Sequence, residues 1–302
     1  MRLVTFRRNV ESEARLGVVV DGLVVDVAKL GTDAGVPLPS AMLDFIFDHA
    51  TAKPVLEALL SDKKLSIGSA VPMADVTLLA PIPRPRKNIF GIGLNYKTHV
   101  DESAKSLDTS PDLPKQPVIF SKPPTTVIGT GEGIRHNANI TKQLDWEVEL
   151  AVIIGTTARA VAKEDALRHV FGYTVINDIS ARDNRRAGQW IYSKGMDTFA
   201  PMGPAIVTSD EIKNPQKLDL WLKKNGEFKQ KGNTKDMLFD VATLISDISQ
   251  GITLEPGDII ASGTPEGVGA GRTPQEWLLP GDVVEACVEG IGIIRNPIVS
   301  AI

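Results

Sequence analysis

The segment Asp145-Trp146-Glu147-Val148-Glu149-Leu150-Ala151-Val152-Ile153-Ile154-Gly155 constrains this chain more than any other. Its second half has no polar side and is rich in β-branched residues, which suit a pleated backbone better than a helix. Such a run reads as a buried strand. Further apolar runs lie at residues 118–120, 173–176, 259–261 and 283–288. Gly203-Pro204, Pro256-Gly257 and Pro280-Gly281 read as turns between runs. Helical spacing is rarer and clearest at residues 163–170 and 239–250, the latter with Val241, Leu244, Ile245 and Ile248 on one face. The fold class expected is α+β and strand-rich, with a few covering helices.

The first part of the chain has a different character. Residues 16–20 and 23–27 are apolar and meet at Asp21-Gly22, a dipeptide suited to a tight hairpin. Residues 40–49 predict a helix capped by Ser40, and residues 55–60 a second one after Pro54. Pro81-Ile82-Pro83-Arg84-Pro85-Arg86 then sets three prolines in five residues, which neither a helix nor an inner strand accepts. The expected organisation is a small α+β domain over 1–80 and a larger domain over 81–302.

Composition excludes several classes. With 42% hydrophobic and 23% charged residues, 302 residues can bury a sufficient core without crosslinks. The one cysteine, Cys287, sits in an alternating run and reads as a small buried hydrophobe. A net charge of -4 gives no basic face for nucleic acid. There is no stretch of about 20 apolar residues to cross a bilayer, and Met1-Arg2-Leu3-Val4-Thr5-Phe6 has no signal-peptide core. A cytoplasmic protein without nucleic-acid or membrane partners is expected.

Within the constraining segment, Glu147 and Glu149 are two apart and project from one side of a strand. Two acids at the mouth of a buried strand repel each other and are costly to desolvate unless a cation neutralises them. The alternative is an exposed edge with two solvated acids. Asp178 closes another apolar run and is a third candidate. Oxygen donors without a Cys/His cluster favour Mg²⁺ or Mn²⁺ over zinc. His99 and Glu102 follow Gly91-Ile92-Gly93 and share a face if their segment is helical; an imidazole oriented by a carboxylate suits a general base. A surface His–Glu pair is the alternative. Arg182 and Lys194 are candidate cations for an oxo-acid, and the loop Ser262-Gly263-Thr264-Pro265-Glu266-Gly267-Val268-Gly269 offers N–H groups and the Thr264 hydroxyl to an anion. His49 reads as structural or solvent-exposed, and His136 and His169 as structural.

Taken in order, Asn95-Tyr96…His99…Glu102, Phe120-Ser121-Lys122-Pro123, Glu147-Val148-Glu149, Asn177-Asp178…Ala181-Arg182-Asp183, Lys194-Gly195…Asp197-Thr198-Phe199, Gly232-Asn233-Thr234 and Ser262 to Gly269 resemble the fumarylacetoacetate hydrolase family over residues 88–302. The resemblance implies a mixed β-sandwich roll behind a small N-terminal α+β domain, a homodimer, and Mg²⁺ or Mn²⁺ on Glu147, Glu149 and Asp178. It implies that His99 with Glu102 activates water, and that Arg182, Lys194 and Thr264 meet a small oxo-acid substrate. The expected activity is hydrolytic C–C cleavage of a 2,4-dioxo acid of the acylpyruvate type, with Lys194 stabilising the departing enolate. Decarboxylation of an oxaloacetate-like acid or isomerisation of a 2-hydroxydienedioate is the alternative. Members usually carry a glutamine three residues after the arginine matched by Arg182. Here Arg185 stands at that place in a stretch one residue shorter, and Gln189 is the glutamine on offer to the substrate. The connection over residues 106–116 is also long and polar.

Overall fold

The computed structural model describes residues 1–9, 12–62, 67–106 and 112–301, so residues 107–111 of the long polar connection lie outside the described residues. The chain opens with β1 (Arg2–Arg7), β2 (Arg15–Val20) and β3 (Leu23–Asp26), an antiparallel meander. Asp21 and Gly22 both have positive φ, the conformation that a two-residue hairpin with right-handed strand twist requires. Helix α1 (Val27–Asp33) starts where the Asp26 carboxylate accepts from the Lys29 amide.

Two expectations about the next helices need correction. Helix α2 (Met42–Phe47) starts after Ala41 with no side-chain cap, and α3 (His49–Ser61) begins five residues before Pro54. The Asp48 carbonyl starts the new helix by accepting from Thr51 and Ala52. Ala52 and Leu56 are buried on opposite sides of the proline, so packing carries the helix through a residue that local propensity would place at its start. Ser40 instead offers its carbonyl to the Leu16 amide.

Beyond β4 (Ala70–Pro72) and β5 (Thr77–Leu78) come β6 (Ile89–Gly93), α4 (Lys97–Ser106), β7 (Val118–Lys122), β8 (Val127–Ile128), β9 (Ile134–His136), β10 (Leu144–Asp145) and β11 (Val148–Ile154). These are followed by β12 (Val170–Asn177), β13 (Ser180–Ala181), α5 (Ile191–Lys194), β14 (Ala200–Thr208), β15 (Asp219–Lys224), β16 (Glu227–Asn233), α6 (Val241–Gly251), β17 (Ile259–Ala261), β18 (Val283–Val288) and β19 (Gly292–Ser300). The expected helix at 163–170 is a 3-10 helix, Lys163–His169. Gly203-Pro204 is not a turn: it lies inside β14, where the pairing with β12 slips between Tyr173 and Val175.

A large sheet runs β4-β3-β2-β1-β14-β12-β11-β17-β6-β7, and a five-stranded sheet runs β16-β15-β18-β19-β9. Residues of β11 alternate between two cores. Val148, Leu150, Val152 and Ile154 join Leu220, Leu222, Val284 and Ala286 of the small sheet, whereas Ala151 and Ile153 join Phe45, Ile46 and Leu56 of the N-terminal helices. This double burial is why the strand can be apolar at every position after Glu149. The N-terminal strands continue the same large sheet, since β1 pairs with β14 through Arg2–Val207 and Leu3–Ile206.

Strand direction then gathers the chemistry at one rim. Strand β11 is antiparallel to β12 and β17, and β17 is parallel to β6. The start of β11 therefore meets the ends of β12, β17 and β6. Glu147 and Glu149, Asp178, the Gly263–Thr264 turn and helix α4 come from those four termini.

Candidate metal centre

Glu147, Glu149 and Asp178 are all buried, and one carboxylate oxygen from each lies within 4.8 Å of the others. The register explains the cluster: Val148 pairs with Asn177, and the Asp178 amide donates to the Glu147 carbonyl at 2.8 Å. The expected metal triad is thus brought together in space. Cations from elsewhere in the chain crowd it. Lys194 Nζ donates to Glu147 Oε2 and Asp178 Oδ2, each at 2.7 Å. Lys122 Nζ, fully buried, donates to Asp178 Oδ1 at 2.5 Å and to the carbonyls of Ile179 and Lys194. Arg182 donates from Nη2 to Glu147 Oε1 at 2.5 Å and from Nε to Asp145 Oδ2 at 2.8 Å.

These neighbours divide the acids. Burial works against the charged form of Glu147, yet Lys194 and Arg182 together hold its carboxyl well below the usual range. Glu149 has the opposite balance. Burial, reinforced by the charges of Asp178 and Glu147, pushes its carboxyl well above the ordinary value. Its Oε2 accepts from the Gly263 amide at 2.8 Å, but its Oε1 is buried with no hydrogen-bond partner among the described residues. An orphaned buried oxygen beside two further carboxylates is the donor set a hard divalent cation takes, so the residues fit Mg²⁺ or Mn²⁺.

One cavity opens onto this cluster, and its lining includes Glu147, His99, Ser103, Arg182, Lys194 and Thr264. Helix α4 does form. His99 Nδ1 lies 3.1 Å from Glu102 Oε2, and Glu102 Oε1 accepts from the Gly267 amide at 2.9 Å, which docks the helix on the glycine-rich loop. His99 is only 5% exposed, so its ring faces the cavity and not bulk water. Asn95 holds the approach to the helix: its side chain donates to the Ser262 and Phe239 carbonyls and accepts from the Phe239 amide. Gly263 is a required glycine, with φ +97° and a Cβ site 2.7 Å from the Asn95 Cβ.

The glycine-rich loop serves the protein more than a ligand. Besides the Gly263 and Gly267 amides, those of Gly269 and Ala270 donate to Asp145. The Thr264 hydroxyl donates to the Val148 carbonyl and accepts from Gln230. Gln189 does not reach the cavity. It is exposed on the outside of the turn, its amide bonded to the Arg186 carbonyl. Arg185 and Trp190 line the cavity instead. Gly93 makes room for Trp190, since a Cβ there would lie 2.3 Å from the indole.

Sequence reasoning did not single out Lys122 or Asp145 as site residues. Asp145 has the same parity as Glu147 and Glu149, and this repeat was the available signal. Lys122 closes an apolar strand and had only its place in the Phe120-Ser121-Lys122-Pro123 segment to mark it. Cys287 is half-buried on β18, and burial raises its thiol pKa, which suits packing better than nucleophilic use. Among the described residues no helix is long and apolar enough to span a bilayer.

Comparison with known proteins places this geometry. Residues 88–299 match the family described as fumarylacetoacetate (FAA) hydrolase C-terminal. An oxaloacetate tautomerase of Bacillus subtilis (strain 168) is 45% identical over 227 residues, 75% of this chain and 74% of that protein. A mitochondrial oxaloacetate tautomerase of Rattus norvegicus is 38% identical over 99% of this chain and 92% of its own. Among solved structures, maleylpyruvate hydrolase from Sphingobium sp. SYK-6, in complex with manganese (II) ion and pyruvate, superposes with a TM-score of 0.79 at 31% identity, covering 99% of both chains. The chain belongs to the fumarylacetoacetate hydrolase family and is an enzyme.

Proposed function

We propose that this member of the fumarylacetoacetate hydrolase family interconverts the keto and enol forms of a small oxaloacetate-like 2-oxo acid. The observation that carries the reading is that the His99 imidazole, the buried Lys194 ammonium and Glu147 of the three-carboxylate cluster line one cavity. A divalent cation held by Glu147, Glu149 and Asp178 would act as a Lewis acid on the oxo group. The protein supplies the proton chemistry. With Nδ1–H given to Glu102, His99 keeps a lone pair on Nε2 to take a proton from C3 and return it. Lys194 faces the oxygen on which charge develops, and its burial away from bulk water strengthens that interaction. Choosing tautomerisation over cleavage is supported by the oxaloacetate tautomerases among the relatives.

Hydrolytic C–C cleavage of an acylpyruvate is the second reading. It is favoured by the same His99–Glu102 pair, which is equally suited to deprotonating water, and by the likeness to a maleylpyruvate hydrolase. Purified protein loaded with Mg²⁺ or Mn²⁺ is to be assayed for loss of enol absorbance with oxaloacetate and for pyruvate release from acetylpyruvate. Faster catalysed enol decay supports the proposal, and pyruvate release as the dominant activity replaces it with the second reading. His99→Ala is expected to lower either activity by about a hundredfold or more while metal affinity stays within about threefold. Loss of metal binding would instead move His99 into the coordination shell. A homodimer is part of the proposal, and a single-chain mass of 32.5 kDa by light scattering would remove it.

A further inference from the structure

Arg185 is a cation inside the cavity with no acid of its own. Its guanidinium carbon lies 4.7 Å over the Trp190 ring, and both residues line the cavity with Lys194 and Glu147. Arg182 beside it is satisfied by Asp145 and Glu147, and Lys194 by Glu147 and Asp178. Arg185 forms no ion pair and donates no hydrogen bond to a protein acceptor among the described residues. Burial and the like charge of Arg182 both act against its protonated form, with Glu147 the one favourable neighbour. A guanidinium kept in such a place, over an indole face, presents N–H donors to whatever enters.

Resting on the function proposed above, we infer that Arg185 binds the second carboxylate of a 2-oxo dicarboxylate and so sets the substrate class of this enzyme. A divalent cation held by Glu147, Glu149 and Asp178, together with Lys194, would take the oxo-acid end. The fork of Arg185 then faces the far end, where a carboxylate receives two parallel hydrogen bonds and an acyl or alkyl group receives none. The turn after Arg182 carries it there. Arg185 occupies the cavity wall and Gln189 faces solvent. Trp190, seated in the space left by Gly93, carries the guanidinium over its ring.

Malate and lactate test the assignment, because both carry a 2-hydroxy acid, neither enolises readily, and they differ at the far end by a carboxylate. Calorimetric titration of the Mn²⁺-loaded full-length protein is expected to show malate binding at least about tenfold more tightly than lactate. Arg185→Gln should remove that preference and leave lactate affinity unchanged, and Arg185→Lys should keep part of it. With oxaloacetate, the effect of Arg185→Gln should fall on KM, about tenfold or more, rather than on kcat. A malate preference that survives Arg185→Gln, or a loss confined to kcat, overturns the inference, provided the variant melts at the wild-type temperature. If Arg185→Gln fails to fold, Arg185→Lys decides: a malate preference undiminished from wild type overturns the inference, as does a wild type that shows no preference for malate over lactate. Wild type that prefers malate yet does not turn over oxaloacetate would uphold Arg185 and refute the proposed function; turnover without the preference would do the reverse.

Discussion

Glu149 is the residue whose state depends most on the cation. Without metal its carboxyl stays protonated to well above the ordinary glutamate pKa of 4.5, because burial and two neighbouring acids oppose the charge. A group with a raised folded-state pKa contributes stability that is complete below its unfolded pKa and is lost as pH rises through the folded value. Metal-free protein should therefore lose stability as pH rises above the ordinary glutamate value of 4.5, and the melting-temperature gain from Mg²⁺ or Mn²⁺ should widen as pH rises beyond it. Glu147 has the opposite sign: its depressed pKa gives stability that disappears only on the acid side of that value. Metal binding should release a proton, and Glu149→Gln should weaken metal affinity and flatten its pH dependence. A pH-independent gain in melting temperature would contradict this account.

At the scale of elements, the site is held by helix ends and loops bonded to the sheet rim. Helix α6 covers the small-sheet core with Val241, Leu244, Ile245 and Ile248, the face its spacing predicts. It starts at Asp240, whose carboxylate accepts from the Thr243 amide at 2.7 Å and the Thr243 hydroxyl at 2.6 Å. Asp240→Ala should cost about 1 kcal/mol in chemical denaturation and leave turnover unchanged. A loss of activity would mean that α6 steers the Phe239–Asn95 link behind α4. Helix α4 itself was legible only as a conditional pattern. Its spacing aligns His99 with Glu102, but the docking of Glu102 on Gly267 and the close approach of Gly271, whose Cβ site would lie 2.1 Å from the Glu102 carboxylate, depend on a loop some 165 residues away.

For the whole molecule, the N-terminal helices cover one face of the catalytic sheet. Ala151, Ile153, Ile176, Ile206 and Ile259 share a core with Leu30, Phe45, Ile46 and Leu56. Residues 81–302 expressed alone would bare this face and leave β14 without β1, its partner in the sheet. That fragment should aggregate or bind a hydrophobic dye strongly. A soluble fragment with a cooperative melt would show that the rest of the fold does not require the cover.

The sequence alone determined the strand-rich class, the buried strand 148–154, the hairpin at Asp21-Gly22 and the face of α6, because periodicity and turn chemistry are local. It also supplied Glu147 and Glu149 as a pair, since two residues of one strand share a side whatever the fold. The tertiary structure decided which cations meet those acids. Lys122, Lys194 and Arg182 reach them through a strand register and two loops, and no sequence spacing encodes such distances. The exclusion of Gln189 and the entry of Arg185 were settled in the same way, by where one short turn could place a guanidinium against Trp190.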